Sequence, residues 1–385
     1  MRILVVNEYL NVVGGVETYL QALLPELVVR GHSLALAVSN NRIGTESILP
    51  EGDVPTWSAF DMDSSERWKP DVVFANGLAD SKLEAQYAKR FPTYLFPHNY
   101  YGTCISGNKC HASLGHRTCR RTFGGSCLIA YFPMGCGGKN PFRMWSLYQE
   151  QRIKCASLPT YRRILVASKH MQSEYLNHGI AEKNVQVVPL FPTCQKRDSH
   201  PPLQRPRSDQ LLVVSRFTQL KGVQFIADAV REASQKLNRK LKLRIAGTGP
   251  ERAVIEDQLI QSGVDYRFMG WLDASERERE MRLSDLLIFP SIWPEPFGLV
   301  GIEAGCVGLP AVGFNVGGTE EWLRPGISGE ISVGRMTSGG LACAIAKALK
   351  SDSHWQSLRE GAWKVSEEFT LASHCEQLLE TFQVH

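Results

Sequence analysis

What this sequence lacks narrows it first. No apolar run in its 385 residues reaches the roughly 18–20 that a membrane-crossing helix needs, which excludes an integral helical membrane protein. Nothing repeats at the ~20–50-residue period of solenoids and propellers. Net charge is nearly absent: 43 Lys and Arg against 39 Asp and Glu leave +4, too little for wholesale nucleic-acid binding. The opening MRILVVNEYL carries no small-residue cleavage site behind its apolar run. It therefore reads as a buried strand and not as a signal peptide, and the expected home is the cytoplasm. A composition of 43% hydrophobic and 21% charged residues is neither disordered nor collagen-like. Ten cysteines would form a disulfide scaffold in a short secreted chain; here they read as reduced, catalytic or metal-bound.

What is present is an alternation. A single domain is about 100–200 residues long, so two are expected. Ile3–Val6, Leu34–Val38, Val72–Phe74, Tyr94–Phe96, Ile164–Ala167 and Val185–Val188 are short apolar runs with the length of buried strands. Val16–Arg30 spaces Leu20, Leu23, Leu24, Leu27 and Val28 as a helix does, and Gly31 ends it. Pro189–Ser208 holds five prolines and reads as a linker. The pattern then restarts with strands at Leu211–Val214, Leu243–Ala246, Tyr266–Met269, Leu286–Phe289 and Ala311–Phe314, helices at Val223–Leu237 and Glu251–Ser262, and mostly helix from about Gly339 to Phe382. The expectation is α/β: an N-terminal Rossmann-like domain over 1–190, a linker over 191–208, and a second over 209–366, with helix 367–385 packing back on the first. Ligands in such sheets bind at the carboxyl ends of the strands.

Five features lie at such ends. Val13-Gly14-Gly15-Val16-Glu17 is a glycine pair at a strand-to-helix turn, where backbone can approach an anion; the alternative is a tight turn with no ligand. Arg216 and Lys221 follow the strand Leu211–Val214, and two cations there suit a diphosphate unless they are merely solvated. Gly247-Thr248-Gly249-Pro250 admits a phosphate or a base, or is simply a turn. Glu295 sits in a proline-flanked loop and Glu303 eight residues later on a helix, where two carboxylates can accept from sugar hydroxyls. The backbone from Phe297 to Val300 offers amides at that helix start. Gly317-Gly318 follows the strand Ala311–Phe314.

In this order and spacing the motifs resemble those of the retaining glycosyltransferases of the GT-B fold, in the large group-1, family-4 set. The resemblance spans nearly the whole chain and is best in its C-terminal half. It implies two Rossmann-like domains facing each other across a cleft, with a nucleotide-sugar donor against the C-terminal one. Arg216 and Lys221 would neutralise the diphosphate in place of a divalent metal, so catalysis needs no cofactor. Glu303 would take the ribose hydroxyls and Glu295 the hydroxyls of the transferred sugar. Phe297, Gly298, Leu299, Gly247, Gly249, Gly14 and Gly15 would surround the donor, and His98 would lie by its sugar. Retention then proceeds by same-face attack, since no nucleophilic carboxylate is evident. One departure stands out: after Val72–Phe74, where relatives carry histidines, this chain has Ala75-Asn76-Gly77.

The stretch Tyr101–His170 has its own character. It holds Cys104, Cys110, Cys119, Cys127 and Cys136, with His111 and His116 among them. The gaps of five, eight, seven and eight residues are too loose for a C-x-x-C zinc site. The functional reading is a structural zinc pinning the insertion; the bland one is reduced thiols in a long loop. The same stretch carries eleven Lys and Arg against Glu150 alone, interleaved with Phe123, Tyr131, Phe132, Phe142, Trp145 and Tyr148. Residues 1–190 carry a net +5 and residues 191–385 a net −1, so the small total conceals a polarised N-terminal half. This suits a lipid-linked or phosphorylated acceptor, or an anionic membrane surface at the inner face of the cell membrane.

The expected activity is transfer of a sugar from a nucleotide-sugar to a glycan or lipid-linked acceptor, in cell-surface polysaccharide synthesis. A nucleotide-sugar epimerase of the same fold and a non-catalytic glycan- or nucleotide-binding module are the alternatives.

Overall fold

The computed structural model describes residues 1–40, 46–114, 117–193 and 198–383; His116 lies outside them. The chain forms two compact units, Met1–Pro189 with Leu371–His385, and Leu190–Thr370.

The first unit is built on strands β1 (Arg2–Tyr9), β2 (Ser33–Asn40), β3 (Thr56–Ser58), β4 (Val72–Ala75) and β5 (Thr93–Leu95), an inserted hairpin β6 (Cys110–His111) and β7 (Arg117–Thr118), then β8 (Arg163–Val166) and β9 (Val185–Val187). Seven of these form one sheet in the order β3-β2-β1-β4-β5-β8-β9, every pair parallel. A parallel sheet is covered on both faces, so its inner strands are continuous apolar runs. Ile3–Val6 and Val72–Ala75 are accordingly buried without alternation. Helices α1 (Gly15–Val29), α2 (Met62–Trp68), α3 (Ser81–Arg90), α4 (Ser126–Ala130), α5 (Pro141–Ser157) and α6 (Lys169–Asn177) belong to this unit.

The second unit repeats the plan with β10 (Gln210–Val214), β11 (Lys242–Ala246), β12 (Asp265–Gly270), β13 (Leu286–Phe289), β14 (Ala311–Phe314) and β15 (Gly329–Ser332), all parallel in the order β12-β11-β10-β13-β14-β15. Its helices are α7 (Ile226–Leu237), α8 (Arg252–Ser262), α9 (Ala274–Leu283), α10 (Leu299–Cys306), α11 (Ser338–Ala348) and α12 (Asp352–Ser366). The last helix, α13 (Leu371–Gln383), returns to the first unit, where Phe382 packs against Phe74 and Tyr94 with ring centroids 5.7 and 4.9 Å away.

Three departures from the sequence reading have physical causes. The edge strand β3 is a half-exposed Thr-Trp-Ser and β15 is Gly-Glu-Ile-Ser; neither offers an apolar run to find. In β15 the buried Glu330 is matched by Lys347 at 2.8 Å and His354 at 3.2 Å. The helix read from Val223 begins as a 3-10 turn and becomes α-helical only at Ile226, because Gly222 before it is left-handed. Finally, where the sequence reads a linker, residues 198–208 are strapped along the second unit. Asp285 accepts from Arg205 at 2.7 Å and from the Ser208 amide at 2.8 Å, and Trp363 donates to the Asp198 carbonyl at 2.8 Å.

Between β5 and β8 the chain makes a long insertion containing β6, β7, α4 and α5. Its entry is fixed by a buried carboxyl. Glu84 on α3 accepts from the Gly77 and Leu78 amides at 3.1 and 3.0 Å and closely from the Tyr101 hydroxyl, which also meets Tyr161 at 3.3 Å. Its exit is tied by Gln151 of α5, whose side-chain oxygen accepts from the Gly102 amide at 2.7 Å. Burial raises Glu84 to about 7, against the opposing pull of Tyr101, the two amides and Lys154. The folded state therefore holds a proton that the unfolded chain releases above its ordinary value. The contribution of Glu84 to stability is greatest below about 4.5 and is lost as pH rises through about 7, on the order of 3 kcal/mol. Glu84→Gln should flatten that slope, which urea unfolding across this pH range measures; an unchanged slope refutes the assignment.

Candidate functional site

In each sheet the strand order reverses beside the first strand of the unit, between β1 and β4 and between β10 and β13. At such a switch point the loops leaving neighbouring strands diverge and open a crevice. In the second unit those loops are Ser215–Gly222 after β10 and Pro290–Gly298 after β13, and they are bonded to each other. The Ile292 and Trp293 amides donate to the Leu220 carbonyl at 3.0 and 2.9 Å. Lys221 Nζ then lies 2.5 Å from Glu295 Oε1, which also accepts from Ser291 Oγ at 2.7 Å, and the ammonium stands 5.0 Å from the Trp293 ring centre. Glu295 is buried and Lys221 half-buried. A buried carboxylate with a cation and a hydroxyl on one oxygen is held in one orientation, and its other oxygen is left to act.

The glycines of these loops have a structural task. Gly222 is left-handed, and a Cβ there would lie 1.7 Å from the Pro290 carbonyl oxygen. Gly317 is left-handed too; its Cβ would fall 2.3 Å from the Glu295 carbonyl oxygen, which accepts from the Gly318 amide at 2.6 Å. The Gly317-Gly318 pair is thus a clamp on the backbone of Glu295. Gly247 and Gly249 let their turn close on Ser215 and Phe217, with Cβ approaches of 1.9 and 2.4 Å, and the Phe217 amide donates to Thr248 at 2.8 Å. Gly298 starts α10 in a left-handed conformation between the Phe289 and Trp322 rings, and Trp322 donates to the Phe297 carbonyl at 2.8 Å. The first amides of α10, from Leu299 onward, have no carbonyl a turn behind them within the helix.

Arg216 differs from Lys221. Its side chain is exposed and makes no ion pair among the described residues. Next to it, the Ser215 hydroxyl oxygen is buried with no hydrogen-bond partner. An unengaged cation beside an unsatisfied hydroxyl at a sheet's switch point suits an oxyanion ligand. Glu303, on α10, is buried and not brought to Lys221. Arg277 of α9 lies 3.2 Å from its Oε2, and Thr193 reaches Oε1 at 3.5 Å. Ser291, Arg277 and Thr193 were not singled out from sequence. Ser291 could have been, since it opens the motif that contains Glu295; nothing local marks the other two.

In the first unit the candidates again follow strand ends. Gly14 and Gly15 precede and start α1, and the Gly14 amide donates to the buried Glu17 at 3.0 Å. Neither has a left-handed backbone, and a Cβ on Gly15 would meet nothing within 4 Å. His98 follows β5 and shares a hydrogen bond of 3.1 Å with Asn76, which follows β4. The Asn76 amide nitrogen donates to the Phe74 carbonyl at 3.4 Å, so its oxygen faces the ring and His98 Nε2 is the donor. That leaves Nδ1 as an acceptor. Burial, helped by the charge His374 would carry, lowers His98 to about 3, and burial brings His374 to about 4. Both imidazoles are neutral. Tyr19 bonds His374 at 2.8 Å and packs edge-on against His98 at 5.3 Å. Asn76 thus serves to orient a histidine.

Gly222→Ala and Gly317→Ala each force a side chain into backbone at a left-handed position. Each should cost about 1–3 kcal/mol and lower the thermal midpoint. Gly15→Ala, with open space and ordinary backbone, should stay within ~0.5 kcal/mol of the parent. Calorimetry of the three variants distinguishes glycines needed by the fold from one that the fold leaves free.

Residues 195–365 match the family model of glycosyl transferases group 1. An uncharacterized glycosyltransferase of Methanocaldococcus jannaschii is 33% identical over 121 residues, 31% of this chain and 30% of that protein. Glycogen synthase of Mycobacterium tuberculosis is 36% identical over 152 residues, 38% of this chain and 35% of that protein. The matched segments span about a third of these relatives' length. The crystal structure of Anabaena HepE in complex with UDP and glucose aligns over 100% of both chains at a TM-score of 0.70 and 16% identity. That of the lipopolysaccharide outer core galactosyltransferase WaaB aligns over 99% of both at 0.70 and 14%. The chain has the α/β GT-B fold of these structures, and its second unit carries the segment shared with the group 1 glycosyl transferases.

Proposed function

We propose that this chain is a retaining glycosyltransferase that moves a sugar from a nucleoside-diphosphate sugar to a glycan or lipid-linked acceptor in cell-surface polysaccharide synthesis. The observation that carries the reading is the Lys221–Glu295 pair at the second sheet's switch point, beside the unpartnered Arg216 and Ser215. Arg216 and Lys221 neutralise the diphosphate and stabilise charge as it leaves, which makes a divalent metal unnecessary. The free oxygen of Glu295 accepts from hydroxyls of the transferred sugar. Glu303, oriented by Arg277, accepts from the ribose. The amides at Gly298 and Leu299, at the start of α10, face the phosphates. Gly14 and Gly15 offer backbone to an anion, which explains glycine where the fold does not require it. His98 presents Nδ1 to a sugar hydroxyl. The acceptor oxygen attacks the anomeric carbon on the face that the phosphate leaves, and the departing phosphate oxygen takes the acceptor proton. The chain then works at the cytoplasmic face of a membrane.

A second surface supports the membrane part of this reading. Of the eleven cations in Tyr101–His170, Lys109 and Lys154 are buried and paired with Glu174 and Glu150. Exposed apolar side chains accompany two of the others. Ile129 is 82% exposed and Phe142 84%, with Phe132 and Trp145 also outward, beside Lys139 and Arg143. Aromatic and basic side chains together suit an anionic lipid interface.

Two measurements test these points. A panel of nucleotide-sugars should yield one that raises the thermal midpoint and releases nucleoside diphosphate only when acceptor is added. Arg216→Ala should fold normally, because it breaks no contact, and lose about 10²–10³-fold in kcat/KM. Absence of any stabilising nucleotide, or donor conversion without acceptor, overturns the assignment. Vesicles containing anionic lipid should sediment the protein at low salt, less so after Phe142→Ser with Trp145→Ser; equal binding to neutral vesicles refutes the surface.

A further inference from the structure

The cysteines that the proposed reaction leaves unused converge. Cys104, Cys110, Cys119, Cys127 and Cys136, spread over 33 positions of sequence, line one small cavity with His111, Lys109 and Arg121. The hairpin does the gathering: Cys110 begins β6, Cys119 follows β7, and the Cys119 amide donates to the Lys109 carbonyl at 2.8 Å. Cys136 arrives from the turn after α4, where its amide donates to Tyr131 at 2.9 Å. The void measures about 20 Å³, little more than one water-sized body, a size that suits a single ion.

The backbone reaches one of these sulfurs directly: the Lys109 amide donates to Cys104 Sγ at 3.3 Å. Amide-to-sulfur bonds orient ligand thiolates and disperse their charge. Cys104, Cys110 and Cys136 are buried and Cys119 is held by the hairpin's backbone, whereas Cys127 is half-exposed and points to the Thr122 carbonyl at 3.9 Å. None of the five is in a disulfide, and among the described residues no three Cys, His, Asp or Glu side chains lie close enough together to hold a metal ion, so binding one has to draw the sulfurs inward across the cavity. The insertion is tied at its ends, but its own buried cluster is only Ile105, Tyr131 and Cys136, with side chains such as Phe123, Leu128 and Met134 partly buried against it. A segment with so small a core gains from a staple.

We propose that Cys104, Cys110, Cys119 and Cys136 bind one zinc ion as a closed tetrathiolate site that fixes the insertion, with Cys127 outside the coordination shell. A closed site of four thiolates is structural, so it adds no step to the proposed reaction. Protein expressed with zinc available and purified without chelator should carry about one zinc per chain by elemental analysis. After removal of the metal, added Co²⁺ should give the intense visible bands of a tetrahedral site with thiolate charge transfer in the near ultraviolet. Cys110→Ser and Cys136→Ser should lose the metal, and Cys127→Ser should keep it. Should the first two fail to fold, thiol labelling of the parent protein answers the same question: four slow cysteines become fast on chelation, while Cys127 is fast throughout. A chain without bound metal and with five equally reactive thiols, disulfides among these cysteines by mass spectrometry, or weak octahedral cobalt bands would overturn the site. Loss of metal in Cys127→Ser overturns the ligand assignment.

Discussion

The ion pair between Lys221 and Glu295 closes the second sheet's crevice at its base. Each partner comes from a loop that leaves a different side of the strand-order reversal, β10 on one side and β13 on the other. A buried carboxylate without its cation would carry a penalty of several kcal/mol, so neither loop can drift without exposing or stranding a charge. The surrounding backbone enforces the same geometry: Leu220 accepts two amides from the opposite loop, and Gly317-Gly318 grips the carbonyl of Glu295 itself. The side-chain pair and the backbone clamps over-determine one position, which is the condition for a preorganised site.

That redundancy separates two kinds of glycine. Gly222, Gly247, Gly249, Gly298 and Gly317 sit where a Cβ would strike a neighbour or where backbone is left-handed. Their presence is explained by the fold alone and says little about a ligand. Gly14 and Gly15 are under neither constraint: no Cβ there would strike a neighbour and neither backbone is left-handed. Gly14 caps α1, a position that accepts glycine, so the fold permits the pair without requiring it. The glycine motifs that looked alike in sequence therefore do different work, and only the local Cβ environment tells them apart.

Much of the architecture was legible because parallel sheets write themselves as apolar runs. Ile3–Val6, Leu211–Val214 and Leu286–Phe289 are readable for that reason. The edge strands β3 and β15 are not, since one side of each has no neighbour to demand hydrophobicity. Lys221 and Glu295 were legible as chemistry at loop ends, but their pairing was not, being 74 residues apart. Arg277 was invisible, as one arginine among several on a charged helix; it matters only because α9 brings it to Glu303. His98 was legible as a position, while its neutrality follows from burial and, second, from His374, neither of which the local sequence shows.

The small net charge is the clearest case of a total that hides its parts. The basic stretch Tyr101–His170 does not present eleven cations to one partner. Lys109 is spent inside, donating to the Thr103 and Arg121 carbonyls at 3.4 and 2.7 Å and pairing with Glu174. Lys154 lies over the Tyr101 ring at 4.8 Å. Both buried lysines hold the insertion's ends to α5 and α6, and the backbone of Lys109 serves the sulfur of Cys104. Cations in this segment thus divide between an inner set that builds it and an outer set that accompanies Phe142 and Trp145 at the surface. If the inner set and the thiol cavity fix the shape of the insertion, its outer face is presented as a rigid body. A surface that binds weakly per residue gains most from such preorganisation, because little ordering remains to be done on contact.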